Sequence, residues 1–256
     1  MDKLEIKKGG VPYLFRYRSN SDFTIDEIKN NYIFFPNSKM LNDPFDASHR
    51  LVKIDENEGN ILKSISVLKE RLKNHSEIKY FNNAFPNKEH FVNFLKEGIV
   101  EFINQTGIAC FSISPVNIML WANYANNHQG ICVQYNIEYD RNFFNTLGNV
   151  EYVDNLEILN YSIGTERESN AIRKMFFKKL RLWREEYEIR LIKSSPGKHY
   201  FESTSVRSIV FGLRTPKEFQ EKIIETVTKY NSHIELYQSE LMENGIGITL
   251  TKIDIK

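Results

Sequence analysis

Apolar residues in this chain come in two rhythms. One is short and alternating, the period of a strand; the other recurs every three or four residues, the period of a helix. The alternating rhythm predicts a first strand over Val11 to Tyr17. A short helix follows near Thr24 to Asn31, with Ser21 or Thr24 as its cap. Tyr32 to Pro36 reads as a second strand, and Lys39 to Asp46 as a turn-rich loop. Ile61, Ile65, Leu68 and Leu72 recur at helical spacing, as do Phe91, Leu95, Ile99 and Phe102. Strands are expected at Ile108 to Ile113 and Gly130 to Tyr135, with a short helix at Asn117 to Tyr124 between them. A brief strand, Val150 to Val153, precedes a basic amphipathic helix over Thr165 to Leu180. Its apolar stripe is Ile172, Met175, Phe176 and Leu180. Val206 to Phe211 is a strand, and Pro216 to Tyr230 a helix with proline in its first turn. Ile234 to Leu241 and Ile246 to Ile253 close the chain as a strand pair. Strands gathered around a helical segment predict an α+β fold. No linker, repeat or low-complexity tract divides the chain. We therefore expect one domain over residues 1–256, with 55–105 as a helical insertion that packs by its apolar stripes and carries no chemistry.

Composition narrows the function. The net charge of +1 gives no global field toward nucleic acid or membrane, although a local basic groove stays open. No apolar run is long enough to span a bilayer, and the first eight residues lack the apolar stretch of a secretory signal. Cys110 and Cys132 each sit in an apolar strand-like run. They read as buried free thiols in a reducing cytosol, so the expected location is cytoplasmic. There is no phosphate-binding glycine loop and no G-x-S-x-G elbow. None of the six histidines stands at metal-ligand spacing from another His or Cys.

Four fragments stand out. In Trp183 to Arg190, strand alternation puts Glu186, Glu188 and Arg190 on one face and Tyr187, Ile189 and Leu191 on the other. Two carboxylates one pleat apart repel each other, which readies one of them for catalysis or for gripping a cation. The plainer reading is a solvated face with a surface ion pair. In Leu14 to Ser19, Arg16 and Arg18 share a strand face, where two forked guanidiniums suit phosphate or carboxylate; ordinary surface arginines read as well. Asn37 to Asp46 is rich in turn formers, so it is structural punctuation or a ligand-clasping loop anchored by Phe45. Trp121 and Tyr124 lie three apart on one helix face. Core packing is the plainer account of Trp121, whereas the pair also makes a wall for a flat ligand. His128 and Gly130 fit the turn into the next strand.

The order of these fragments is itself a pattern. Phe15-Arg16-Tyr17-Arg18 fits Y-[KR]-Y-R apart from Phe15, and Asn42 to Asp46 reads N-D-P-F-D. Cys110-Phe111-Ser112 follows, then M-x-W-A-x-Y-A-x-x-H-x-G-I-C from Met119 to Cys132. W-x-x-E-x-E-x-R from Trp183 and I-x-F-G from Ile209 complete the series. From Leu14 to Gly212 the chain resembles a bacterial domain family of unknown function, with Phe15 where Tyr is usual and Arg16 where Lys is common. More remotely it resembles the ADP-ribosyltransferase fold, and within it DNA-modifying toxins whose first strand reads Y-H-F-T. That resemblance implies two small sheets splitting around a cleft for NAD. It implies that Arg16 or Arg18 holds the dinucleotide, that Tyr124 stacks near nicotinamide, and that Glu188 is catalytic with Glu186 orienting the acceptor or the ribose. Ser38, Asn42, Asp43, Trp121, His128 and Arg190 complete the implied NAD-binding set. Arg16 stands where those toxins carry His.

Three functions remain open at this point. The first is an NAD-consuming ADP-ribosyltransferase, of the kind that serves as a toxin or phage-defence effector, with nucleic acid or protein as acceptor. The second is a nucleic-acid- or nucleotide-processing enzyme that places magnesium on Glu186, Glu188 and Asp43, since hard oxygen ligands favour that ion. The third is a non-catalytic binding module. A site shared between the first strand and the Glu-rich strand would require Arg18 and Glu188 to line one cleft.

Overall fold

The computed structural model describes residues 7–8 and 11–254. Lys7–Lys8 (β1) and Val11–Pro12 (β2) form a short antiparallel pair. Leu14–Arg18 (β3), Asp22–Asn30 (α1) and Tyr32–Phe35 (β4) follow. Ser21 caps α1 by accepting from the Thr24 N–H. Val52–Ile54 (β5) leads into three helices, Glu58–Glu70 (α2), His75–Ala84 (α3) and Lys88–Gln105 (α4). Each begins on an asparagine, Asn57, Asn74 or Asn87, whose side chain accepts a first-turn N–H. Gly107–Ser112 (β6), Ile118–Tyr124 (α5), Ile131–Tyr135 (β7), Leu147–Asn149 (β8), Glu151–Val153 (β9) and Leu159–Tyr161 (β10) continue the chain. Glu166–Phe177 (α6) runs directly into Lys178–Leu180 (β11). The last elements are Glu188–Lys193 (β12), Gly197–Tyr200 (β13), Val206–Phe211 (β14), Lys217–Tyr230 (α7), Glu235–Leu241 (β15) and Ile248–Ile253 (β16).

The fold mixes helix and strand around a large mixed sheet. Two compact units share the chain. One takes Met1–Phe35, Ile108–Val150 and Leu182–Lys256; the other takes Pro36–Gly107 and Glu151–Arg181. The segment 55–105 falls inside the second unit together with 36–54 and 151–181.

The first unit is built on an eight-stranded sheet of order β16-β15-β14-β7-β3-β6-β12-β8. β14 and β15 are parallel and are joined by α7, because a parallel pair needs a crossover and a helix supplies it. Register fixes the two faces. Phe15 lies opposite Gln134 on β7 and Ser112 on β6, and Arg16 lies opposite Val133. On one face Leu14, Phe111, Val133, Ile209 and Leu191 pack with Ile28 of α1 and with Ile223 and Val227 of α7. On the other, Phe15, Tyr17, Cys132, Val210 and Tyr237 pack with Leu120 and Trp121 of α5.

The second unit is mainly helical. Its strands are three residues long and pair in parallel, β5 with β10 and β9 with β11. The buried stripe of α4 runs Phe91, Val92, Leu95, Ile99, Ile103. The expected Phe102 is instead 46% exposed, because drift of the 3.6-residue period brings 103 inward. The expected helix to Leu180 stops at Phe177: Lys178 is extended and Leu180 belongs to β11. Among the described residues no helix is long and apolar enough to cross a membrane.

Candidate functional site

Strand alternation on β3 separates its aromatic residues from its arginines. Arg16 and Arg18 stand on the face of Leu14, over α1. There Glu27 of α1 meets both, Arg16 Nη1 at 3.3 Å and Arg18 Nε at 2.6 Å. The second contact is short but poorly angled, an ion pair without a hydrogen bond. The Phe34 N–H donates to Glu27 at 2.9 Å, and Arg16 Nη2 donates to the Phe34 carbonyl at 3.0 Å. Burial, then the neighbouring Arg16 charge, holds Arg18 below the usual arginine range, with Glu27 opposing. Arg16 is 8% exposed and serves as part of an internal clamp between β3, α1 and β4. Arg16, expected to hold a dinucleotide, is engaged in this structure by Glu27 and by the Phe34 carbonyl. Glu27, eleven residues from Arg16, is the partner that no local spacing announced.

The glutamates lie on the other face. On β12, Leu191 joins the cluster of Leu14 and Phe111 and Ile189 packs against it, so Glu188 and Arg190 point away from that cluster. Arg18 and Glu188 therefore occupy opposite faces of one sheet, and the single cleft expected for them does not form. A strand two places away in the order keeps its faces by its own register, which its own sequence does not contain.

On the glutamate face, the site grows from Tyr17. Its hydroxyl donates to the Ser114 carbonyl at 2.7 Å and accepts from the Asn117 N–H at 3.1 Å. Burial drives the Tyr17 phenol far above its usual range. Asn117 caps α5 by accepting from Met119 and Leu120, and its amide donates to the Glu185 carbonyl. The start of α5 is thereby tied to the Glu-rich segment. At the other end of α5, the Tyr124 hydroxyl donates to Glu186 Oε1 at 2.7 Å.

The Glu-rich segment is not the continuous strand expected. Arg181–Glu186 is a 3-10 turn, Tyr187 has φ of 47°, and β12 begins only at Glu188. A left-handed tyrosine is a genuine outlier, costing on the order of 1–2 kcal/mol. The bend swings Tyr187 outward to 52% exposure, correcting its assignment to the core side. It also takes Glu186 out of the pleat shared by Glu188 and Arg190. Glu186 is 7%, Glu188 5% and Arg190 0% exposed, so the solvated-face reading fails. Arg190 grips Glu188 through two bonds, Nε to Oε1 at 2.6 Å and Nη2 to Oε2 at 3.1 Å. Glu186 thus accepts from a phenol and Glu188 from a guanidinium.

Trp121 has no exposed surface. Its ring takes Tyr17 edge-on at 5.1 Å and stacks on His128 at 6.0 Å, and its Nε1–H donates to the Pro115 carbonyl at 2.9 Å. Its part in a ligand wall is corrected to packing, because α5 turns it onto β3. His128 closes a run of three left-handed residues, Asn126, Asn127 and His128. Its Nδ1 is buried with no partner among the described residues. Burial first, then Arg214, lowers its pKa. Two glycines make room for this loop. A Cβ on Gly130 would lie 2.0 Å from the Arg18 carbonyl oxygen, and one on Gly212 would lie 2.2 Å from that of His128.

Ser38, Asn42 and Asp43 belong to the second unit. Ser38 opens a 3-10 turn, Asn42 is exposed, and Asp43 is buried, accepting the Phe45 N–H at 2.9 Å and, through its carbonyl, that of Asp46 at 3.1 Å. This is turn chemistry. Phe45 is 50% exposed and does not anchor the loop; Asp46 does, buried 3.8 Å from the equally buried Lys179.

Among the described residues no group of three or more His, Cys, Asp or Glu side chains is placed to share a metal ion. No family model, no curated protein and no solved structure matches the chain.

Proposed function

We propose that the chain is an NAD-consuming, ADP-ribosyltransferase-like enzyme whose working carboxylate is Glu186. The observation that carries this reading is the 2.7 Å bond from Tyr124 to Glu186 beside the left-handed Tyr187. Backbone strain gathers at functional sites, and two carboxylates kept in different environments divide the labour of a reaction. When the bond from the anomeric carbon to nicotinamide breaks, the electron pair leaves with nicotinamide and the sugar carbon becomes cationic. A fixed carboxylate stabilises that charge more in the transition state than in the substrate. Tyr124 orients Glu186 for this, and the Glu188–Arg190 pair holds the start of β12 on which the bend rests. An acceptor nucleophile on nucleic acid or protein then closes the bond to the sugar and loses its proton. NAD is a substrate here, and action as a toxin or phage-defence effector belongs to the same proposal. Arg16 takes no part in binding.

The burial of Glu186, Glu188 and Arg190 favours a second reading, a non-catalytic binding module in which this network only braces the fold. The magnesium-dependent alternative lacks a three-carboxylate ligand set among the described residues. Incubation with labelled NAD separates the first two. Wild type should release nicotinamide, and Glu186→Gln should release it about 10²–10³ more slowly with its melting temperature kept. Equal release by wild type and Glu186→Gln rejects Glu186 as the working group, and no release by wild type favours the module.

A further inference from the structure

The second unit holds a groove of about 400 Å3, inside the size range of small-molecule sites. Lys96, Ile99 and Val100 line one side; spaced i, i+3 and i+4, they share one face of α4. Val52 and Ile54 of β5 add apolar lining, and Ile158 stands beside them although 67% of it is exposed. The charge in the groove is of one sign: Arg50, Lys53 and Lys96 contribute to it, and no lining residue is acidic. Lys96 touches Glu56 only at 3.9 Å, with both side chains about half exposed, a pair of little energetic weight. Among the described residues no carboxylate pairs with Arg50 or Lys53.

An apolar groove with cations around it has a defined complement. A bare anion would satisfy the cations and leave the apolar lining uncovered, the exposed Ile158 above all. A neutral apolar molecule would cover the isoleucines and strip water from the cations without replacing it. A cationic amphiphile would be repelled. We propose that this groove binds an amphipathic anion, its apolar body against Val52, Ile54, Ile99 and Val100 and its carboxylate or phosphate head on Arg50, Lys53 and Lys96. The site is independent of Glu186, and it gives the helical segment a binding role that its sequence pattern did not suggest.

Calorimetric titration of the full chain tests the site with four probes below their micellar concentrations: decanoate, decyl phosphate, decyltrimethylammonium and inorganic phosphate. Decanoate and decyl phosphate should bind, and the other two should bind at least about tenfold more weakly. The tighter of the two anionic amphiphiles identifies the head as carboxylate or phosphate monoester. Arg50 and Ile158 are both exposed, so Arg50→Glu and Ile158→Glu should keep the circular dichroism of wild type while weakening decanoate about tenfold or more. The proposal is overturned if neither anionic amphiphile binds or if the cationic amphiphile binds equally well. It is overturned too if inorganic phosphate alone matches decanoate, or if both folded variants keep wild-type affinity.

Discussion

At the scale of single residues, Glu186 and Glu188 differ by the groups that donate to them and not by their chemistry. Glu188 is gripped by Arg190 in full burial, so Glu188→Gln takes away the negative charge that two of the guanidinium's bonds meet. Breaking such a pair from one side costs about 3 kcal/mol or more, and thermal melting should show it directly. Replacing both partners, Glu188→Leu with Arg190→Met, should lose much less, since a buried pair exchanged for apolar groups is often neutral. A double variant no more stable than Glu188→Gln would mean that Arg190 has a further duty. Arg16 gives a parallel case on the other face. Arg16→Met breaks its contact with Glu27 and its bond to the Phe34 carbonyl. Its melting temperature should drop while the KM for NAD stays at the wild-type value; a raised KM would return Arg16 to the binding site.

At the scale of elements, the loop from α5 into β7 shows how closely backbone meets backbone. The Cβ introduced by Gly130→Ala would fall 2.0 Å from a main-chain oxygen of β3, which cannot rotate away as a side chain would. β3 and β7 must separate there, at a cost of about 1–3 kcal/mol or more. Hydrogen exchange should rise first at the C-terminal end of β3 and the N-terminal end of β7; unchanged protection would show that the loop yields instead. The same loop carries a pH dependence. Because burial and Arg214 lower the pKa of His128, its folded value lies below the ordinary 6.5 or so of an unfolded histidine. Its contribution to stability is complete above that value and fades as pH falls toward the folded one. Wild type should lose stability across that window more steeply than His128→Asn, and parallel curves would remove His128 as the cause.

At the scale of the molecule, buried phenols set the alkaline limit. Burial raises Tyr17 and Tyr135 in the first unit far above the ordinary value near 10, and it pushes Tyr161 in the second to about 12. A raised folded pKa stabilises the fold fully below the unfolded value and loses that contribution as pH rises through the folded one. Stability should therefore decline above about pH 10, and the Tyr17 and Tyr135 phenolates should appear only with unfolding. Phenolate absorbance and far-ultraviolet dichroism followed together would check this; ionisation of every tyrosine before any loss of dichroism would contradict it.

What the chain determined by itself is what depends on near neighbours. The strand at Leu14, the helices after Asn57 and Asn87, the α5 cap at Asn117 and the mixed character of the fold are written in period and capping. So is the turn at Asp43, because an aspartate bonds the backbone two residues on. The brief strand expected at Val150 to Val153 is β9, whereas the three-residue strands β5, β10 and β11 lie below the length at which a period can be counted. The sheet decided which face each charged side chain met. Alternation within β3 told that Arg16 and Arg18 go together, and alternation within β12 that Glu188 and Arg190 do. Neither could tell that the two pairs lie back to back, because a one-residue slip in register would have turned either over. The left-handed Tyr187 removed Glu186 from the strand by a backbone angle that tyrosine itself disfavours. Such an angle is held by its surroundings, by Asn117 on the Glu185 carbonyl and Tyr124 on Glu186, contacts that span more than sixty residues.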